Sequence, residues 1–354
     1  MVRLAALSLF LLSAIAPTHA AEHVRLFVSA MTEKQVIALD WNPDNATLTE
    51  LGRLDLPDEP SALLVAPDGR RLYITMLITG QLGAAKVDPA SGKMELLNVV
   101  PAGKIPCYMS LDPSGRSLLT AYYTGGNITV HALDNEGRIA TKPRQNLVTT
   151  EKAHCIVFDP SQKWVFAAHT GGEAIFQYTW NPTSSELVPL SPGQVTTKPL
   201  TGPRHIAWSP SRAIAYVSNE QANSATAWEL TPEHGLKPAG SASTLPPAFT
   251  EPNSTSDIQV HPSGKSVYVA NRGHESLAIL AVSDDGLQLS PAGHVATERN
   301  PRSFMLDAKG EWLFAAGEDS GKLAIYAVSK DGRELNPVKS VPLAGKLWWV
   351  AVQK

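Results

Sequence analysis

Residues 260–271, "VHPSGKSVYVAN", carry the pattern from which the architecture follows. An apolar residue leads into His-Pro-Ser-Gly, whose proline and glycine suit a tight turn. The chain then re-emerges as Val267, Tyr268 and Val269, residue types that favour a sheet interior. The unit therefore reads strand, turn, strand. It has relatives at residues 65–76 ("VAPDGRRLYITM"), 111–122 ("LDPSGRSLLTAY"), 158–169 ("FDPSQKWVFAAH"), 208–219 ("WSPSRAIAYVSN") and 306–317 ("LDAKGEWLFAAG"). Successive copies lie about 46 to 52 residues apart, a period that fits propeller blades and exceeds that of leucine-rich or ankyrin repeats.

After each copy come a polar break and two more alternating strands, so one unit is a four-stranded antiparallel sheet. Capping boxes followed by a 3.6-residue period are scarce, which disfavours helical solenoids. Six copies plus an N-terminal unit, "VRLFVSAMTEKQVIALDWNPDNATLTELGRL", make seven blades. That first unit lacks an innermost strand, and "LWWVAVQK" (residues 347–354) is apolar enough to supply it. The expectation is an all-β, seven-bladed β-propeller closed by its C-terminal strand, since closure removes exposed sheet edges.

The first twenty residues, "MVRLAALSLFLLSAIAPTHA", pair one arginine with a short apolar run and small residues near the end, as in a cleaved export signal. The reading is a leader at 1–20 and one domain at 21–354, periplasmic or secreted, monomeric, with no membrane span after cleavage. A net charge of −3 gives no support for nucleic-acid binding. Export permits a disulfide between Cys107 and Cys155, although nothing in the sequence sets their separation.

If the blades superpose, equivalent positions form rings. Five residues before each turn, the start of the innermost strand reads Ser61, Cys107, His154, Arg204, Ser256 and Arg302. The end of the second strand reads Leu77, Tyr123, Thr170, Glu220, Arg272 and Glu318, preceded by Met76, Tyr122, His169, Asn219, Asn271 and Gly317. Antiparallel neighbours bring both positions to one edge of the sheet, so the two rings converge on one face of the propeller. Units four to six supply most of the charge there. Asp112, Asp159, His261 and Asp307, just before the turns, read instead as turn caps.

Arg204 and Arg272 can hold an anionic group or stabilise an oxyanion, or they can simply tie blades together through carboxylates. His154 is a candidate general acid or base, and Glu220 could take the complementary role if its surroundings raise its pKa. His205, His274, Asn271, Arg302 and Glu318 are candidate substrate contacts around them. The histidines come from different blades without a local ligand motif, so no metal and no cofactor is expected. No G-x-S-x-G elbow, P-loop or H-E-x-x-H occurs.

The segments "GPRHIAWSP", "SNEQANS", "DIQVHPSGKSVYVANRGHESLAIL" and "NPRSFMLDAKGEWLFAAGEDSGKLAIY" resemble the seven-bladed lactonase family, which includes 6-phosphogluconolactonases and fungal carboxymuconate-lactonizing enzymes. The resemblance spans nearly the whole chain after the leader. It implies a propeller with its site at the channel mouth, acting on a small-molecule lactone or other anionic substrate. His154 in "KAHCIVFDP", Arg204 in "GPRH", Glu220 in "SNEQ" and Arg272 in "NRGHES" match residues implicated in the lactonizing branch. "PCYMSLDPSG", "LLTAYYTGG" and "AAHTGGE" depart from the family pattern, which bears on the substrate more than on the fold. The leading expectation is hydrolysis of a sugar lactone. Its alternatives are a non-catalytic propeller that binds a small anion, glycan or protein, and a carboxymuconate-type cycloisomerase.

Overall fold

The computed structural model describes residues 22–353. Within them, 28 strands form seven four-stranded antiparallel sheets. Blade 1 takes its inner strand from the far end of the chain: Leu347–Val352 pairs with Val24–Ala30, followed by Gln35–Asn42 and Thr47–Asp55. Blades 2 to 7 begin with Pro60–Val65, Pro106–Leu111, Ala153–Phe158, Pro203–Trp208, Ser254–Val260 and Pro301–Leu306, each followed in order by its three partners. The architecture is the seven-bladed propeller expected from the repeat. The leader read at residues 1–20 lies outside the described residues.

Second strands are buried on both faces because each blade is sandwiched between two others. Ser117–Tyr122 and Ile214–Asn219 are buried at every position, so their sequences run continuously apolar or small rather than alternating. The core is a ring of inter-blade layers. One joins Phe27 and Val36 of blade 1 to Leu72 and Ile74 of blade 2, and another joins Leu26 and Ile37 of blade 1 to Phe314 and Ile325 of blade 7. Outer strands such as Leu335–Pro342 face solvent.

The turns are built as their composition suggests. The Asp112 carboxylate accepts from the backbone N–H groups of Ser114, Arg116 and Ser117, and Asp159 does the same for Ser161, Lys163 and Trp164. Asp307 accepts from Lys309 and Trp312. Gly80 shows what the other edge demands. It has φ of +67°, its carbonyl accepts from Ala102 and Gly103, and a Cβ there would lie 2.0 Å from the Gly103 oxygen. Gly80→Ala should therefore cost about 1–3 kcal/mol, read as a lower denaturation midpoint; an unchanged midpoint would show that the loop joining blades 2 and 3 yields freely.

A feature invisible in the repeat positions the site. The ladder between first and second strands slips at the same place in each of blades 2 to 7, at Pro60/Leu63, Pro106/Tyr108, Ala153/Cys155, Pro203/Ile206, Thr255/Ile258 and Pro301/Ser303. The closing strand of blade 1 slips likewise against Val28/Ala30. These β-bulges coincide with the ring of Ser61, Cys107, His154, Arg204, Ser256 and Arg302, and they release those side chains from strict in–out alternation.

Candidate active site

Small residues of this ring stitch blades together. The Ser61 hydroxyl donates to the Pro106 carbonyl at 3.3 Å, the Cys107 thiol to Ala153 at 3.2 Å, and the Ser256 hydroxyl to Pro301 at 2.6 Å, each reaching the first inner-strand residue of the next blade. Both cysteines are free thiols. The larger ring members, His154, Arg204 and Arg302, project toward their neighbours instead.

Glu220 is the hub. Its Oε1 accepts from Arg272 Nη2 at 2.8 Å, and its Oε2 lies 3.2 Å from Arg204 Nε. The second approach is an ion pair without hydrogen-bond alignment, so Arg204 Nε and Glu220 Oε2 are both buried without a hydrogen-bond partner. Arg272 also donates to the Thr255 carbonyl at 3.2 Å, and its Nε, like the Thr255 hydroxyl, has no partner. The unsatisfied polar atoms here are thus concentrated where Arg204, Glu220, Arg272 and Thr255 meet.

The charges decide what each group can do. Burial alone would raise the Glu220 pKa, but Arg204 and Arg272 outweigh it and hold the carboxyl below its usual range, the opposite of the raised value a proton donor needs. Arg204 is 1% exposed. Its burial, with Arg272 nearby, brings the guanidinium down to about 9, leaving it cationic at neutral pH. His154 is buried, and burial followed by the Arg204 charge pushes it well below the usual imidazole range, so the ring is neutral. Its Nδ1 has no partner, and the ring is held edge-on by Tyr123 and His205, with centroids 5.4 and 5.2 Å away.

Arg302 joins this charge system, its guanidinium 3.7 Å from the Trp348 ring centre and Nη1 3.4 Å from Glu318. Burial, then Arg272, lowers its pKa. His205 lies beneath, fully enclosed, with Nδ1 2.9 Å from Asp257 and Nε2 3.2 Å from Arg204.

Two predicted contacts fall elsewhere. Asn271 is fully buried, and its amide is used up by the Thr244 hydroxyl and carbonyl, Ser276 and Asn253, which makes it a tie to the end of blade 5. His274 packs with Phe249 and His294, and its Nδ1 meets the Ser276 hydroxyl, so it belongs to a separate cluster beside the turn that follows.

Sequence reasoning missed Asp257, Tyr108, Trp348 and Trp349. Tyr108 and Trp349 both pack on His205, at 5.1 and 5.8 Å between ring centres. The signal was one residue away. Advancing the inner-strand ring by one position gives Ala62, Tyr108, Cys155, His205, Asp257 and Ser303, and extending it to the closing strand gives Trp349. Among the described residues no group of three or more His, Cys, Asp or Glu side chains could hold a metal ion. A cavity of about 620 Å³, lined by Leu77, Ile78, Gly103 and Lys104 among others, lies at blades 2 and 3 and contains none of the charged cluster.

A family described as "Lactonase, 7-bladed beta-propeller" matches residues 25–352. A 6-phosphogluconolactonase of Pectobacterium carotovorum is 30% identical over 285 residues, covering 80% of this chain and 85% of that protein. Another, from Cronobacter sakazakii, is 29% identical over 291 residues with the same coverage. Among solved structures, a periplasmic gluconolactonase of Pseudomonas aeruginosa superposes with a TM-score of 0.86 over 94% of this chain and 99% of that one; at 22% identity the likeness concerns the fold. With the family match running from the first strand to the last, the chain belongs to the seven-bladed β-propeller lactonase family.

Proposed function

We propose that this protein hydrolyses a sugar lactone at the Arg204–Glu220–Arg272 cluster, on the propeller face where the two rings meet, after export from the cytoplasm. The observation that carries the reading is a carboxylate held between two guanidiniums, with unsatisfied polar atoms on all three residues. Relatives named 6-phosphogluconolactonase support the reaction class.

The residues divide the labour by their charge states. The guanidinium N–H groups stabilise the oxyanion that forms at the lactone carbonyl. Glu220, already ionised, takes the proton of the attacking water. As negative charge grows on the substrate, the arginines shift part of their attraction to it, so the carboxylate becomes more basic when it must accept that proton. The carbonyl carbon gains the water oxygen and loses the ring oxygen. The proton stored on Glu220 then reaches the departing alkoxide, and the neutral His154 ring supplies a hydrogen bond to it. Atoms and charge balance without a cofactor.

The test is a panel of phosphorylated and unphosphorylated aldonolactones offered to the mature protein. Turnover above the buffer rate is expected, with Arg272→Ala reducing kcat/KM about 10²- to 10³-fold, the effect of losing an oxyanion donor. Wild-type turnover in Arg272→Ala and Glu220→Gln would remove the cluster from the mechanism. An inert wild type that still binds an anion or glycan would favour a non-catalytic propeller.

A further inference from the structure

A buried chain of contacts continues from Arg204 into the neighbouring blades. Asp257 Oδ1 accepts from His205 Nδ1 at 2.9 Å and from its neighbour Ile258 N–H at 2.9 Å, while Oδ2 accepts from Phe304 N–H at 3.1 Å. His205 Nε2 lies 3.2 Å from Arg204 Nη1. A guanidinium can only donate, so Nε2 must carry the lone pair and the imidazole proton must sit on Nδ1, pointing at Asp257. A ring protonated on both nitrogens, or carrying its proton on Nε2, would turn a donor toward a donor. Tyr108, His154 and Trp349 enclose the ring, which keeps it from swinging away.

We propose that Asp257 and His205 are positioning residues for the lactone-opening reaction: the carboxylate sets the imidazole tautomer, and the lone pair left on Nε2 holds Arg204 in register with Glu220. This assigns Asp257 a role that the ring alignment did not, and moves His205 from contacting substrate to orienting the group that does. It rests on the functional reading above. The chemistry also explains why the position takes an acid. Asparagine has one oxygen for three donors: placed at Oδ1 it keeps His205 and Ile258 but turns its NH₂ on the Phe304 N–H. Placed at Oδ2, it turns its NH₂ on His205 Nδ1 and the Ile258 N–H together, so either orientation sets a donor against a donor where the carboxylate sets none.

The experiment combines three variants with nitrogen NMR of the imidazole, which distinguishes the tautomers in the resting protein. Wild type should show His205 protonated at Nδ1. Asp257→Asn should shift the His205 Nδ1–H signal and lower kcat about 10²-fold with a smaller change in KM, the scale of loss when a reacting group is displaced by about 1 Å. His205→Gln, whose amide oxygen can stand where Nε2 does, should recover at least tenfold of the activity lost in His205→Ala. An Nε2–H tautomer in wild type overturns the proposal. So does a folded Asp257→Asn within about twofold of wild-type kcat, or a glutamine variant no better than alanine. Should Asp257→Asn fail to fold, the two His205 variants still decide. A wild type inert toward every lactone would overturn the functional reading instead. The Arg204 Nε–H resonance then decides the positioning claim: it should shift and broaden in His205→Ala and not in His205→Gln, and an unmoved signal in both would end it.

Discussion

Deleting everything from Leu347 onward is expected to leave the chain unable to fold. The segment supplies the inner strand of blade 1, and its side chains serve two inter-blade layers at once. Trp349 and Ala351 pack in the layer shared with blade 2, whereas Leu347, Val350 and Val352 pack in the layer shared with blade 7. All five are buried. At about 1.5–3 kcal/mol for each large apolar side chain, their loss removes roughly 10 kcal/mol, comparable with the whole net stability of a typical domain. The deletion also exposes the edge of Val24–Ala30, a strand of mostly buried apolar residues, as a template for aggregation. The measurement is soluble yield and near-ultraviolet circular dichroism of the truncated protein. A soluble product with a wild-type spectrum would mean that closure is dispensable.

Acid should destabilise the fold well before its carboxylates are protonated. His131, His169 and His205 are all buried, and burial lowers each from 6.5 to about 4. The partners differ, a Thr129 hydroxyl for His131 and the Ala167 carbonyl and Thr149 hydroxyl for His169, yet desolvation dominates in each case. The sign follows from proton binding. Below pH 6.5 the unfolded chain takes up protons that the folded chain refuses, so stability is full above 6.5 and is lost as pH falls toward about 4. At pH 5 each of these histidines should have cost about 2 kcal/mol, roughly 6 kcal/mol together, with His154 adding in the same direction. Glu220 does not confuse the result, because its folded pKa lies below 4.5 and its contribution is lost only in more acidic solution. Denaturant unfolding at pH 7.5 and pH 5 measures the difference. Equal free energies at the two pH values would show that these rings gain their protons without opening the blades.

Much of the candidate site was legible in the chain because the repeat superposes so closely. His154, Arg204, Glu220 and Arg272, drawn from three blades, do come into one contiguous cluster. What alignment could not supply was the direction in which each side chain points. Asn271 and Arg272 are adjacent in sequence, yet one is consumed by Thr244 and the other reaches Glu220. Asp257 escaped notice for a related reason. Read as a strand, the position after Ser256 should turn toward a blade layer, but the bulge there lets it face His205.

The direction of the Glu220 shift was open for a deeper reason. A carboxylate near a cavity can be raised by burial or lowered by arginines, and the outcome is a contest between terms that depend on ångström distances. Arg204 sits one blade from Arg272 and sixteen residues before Glu220. Only the assembled ring brings both guanidiniums onto one carboxyl.

By itself, the order of residues determined the blade period, the turn chemistry, the closing strand and which polar positions are equivalent from blade to blade. These follow from local preferences and from a pattern repeated along the chain. Tertiary structure alone decided which of those polar groups touch and which guanidiniums crowd one carboxyl. Such matters are settled by contacts between blades, where residues some fifty positions apart meet at hydrogen-bond distance and water no longer screens them.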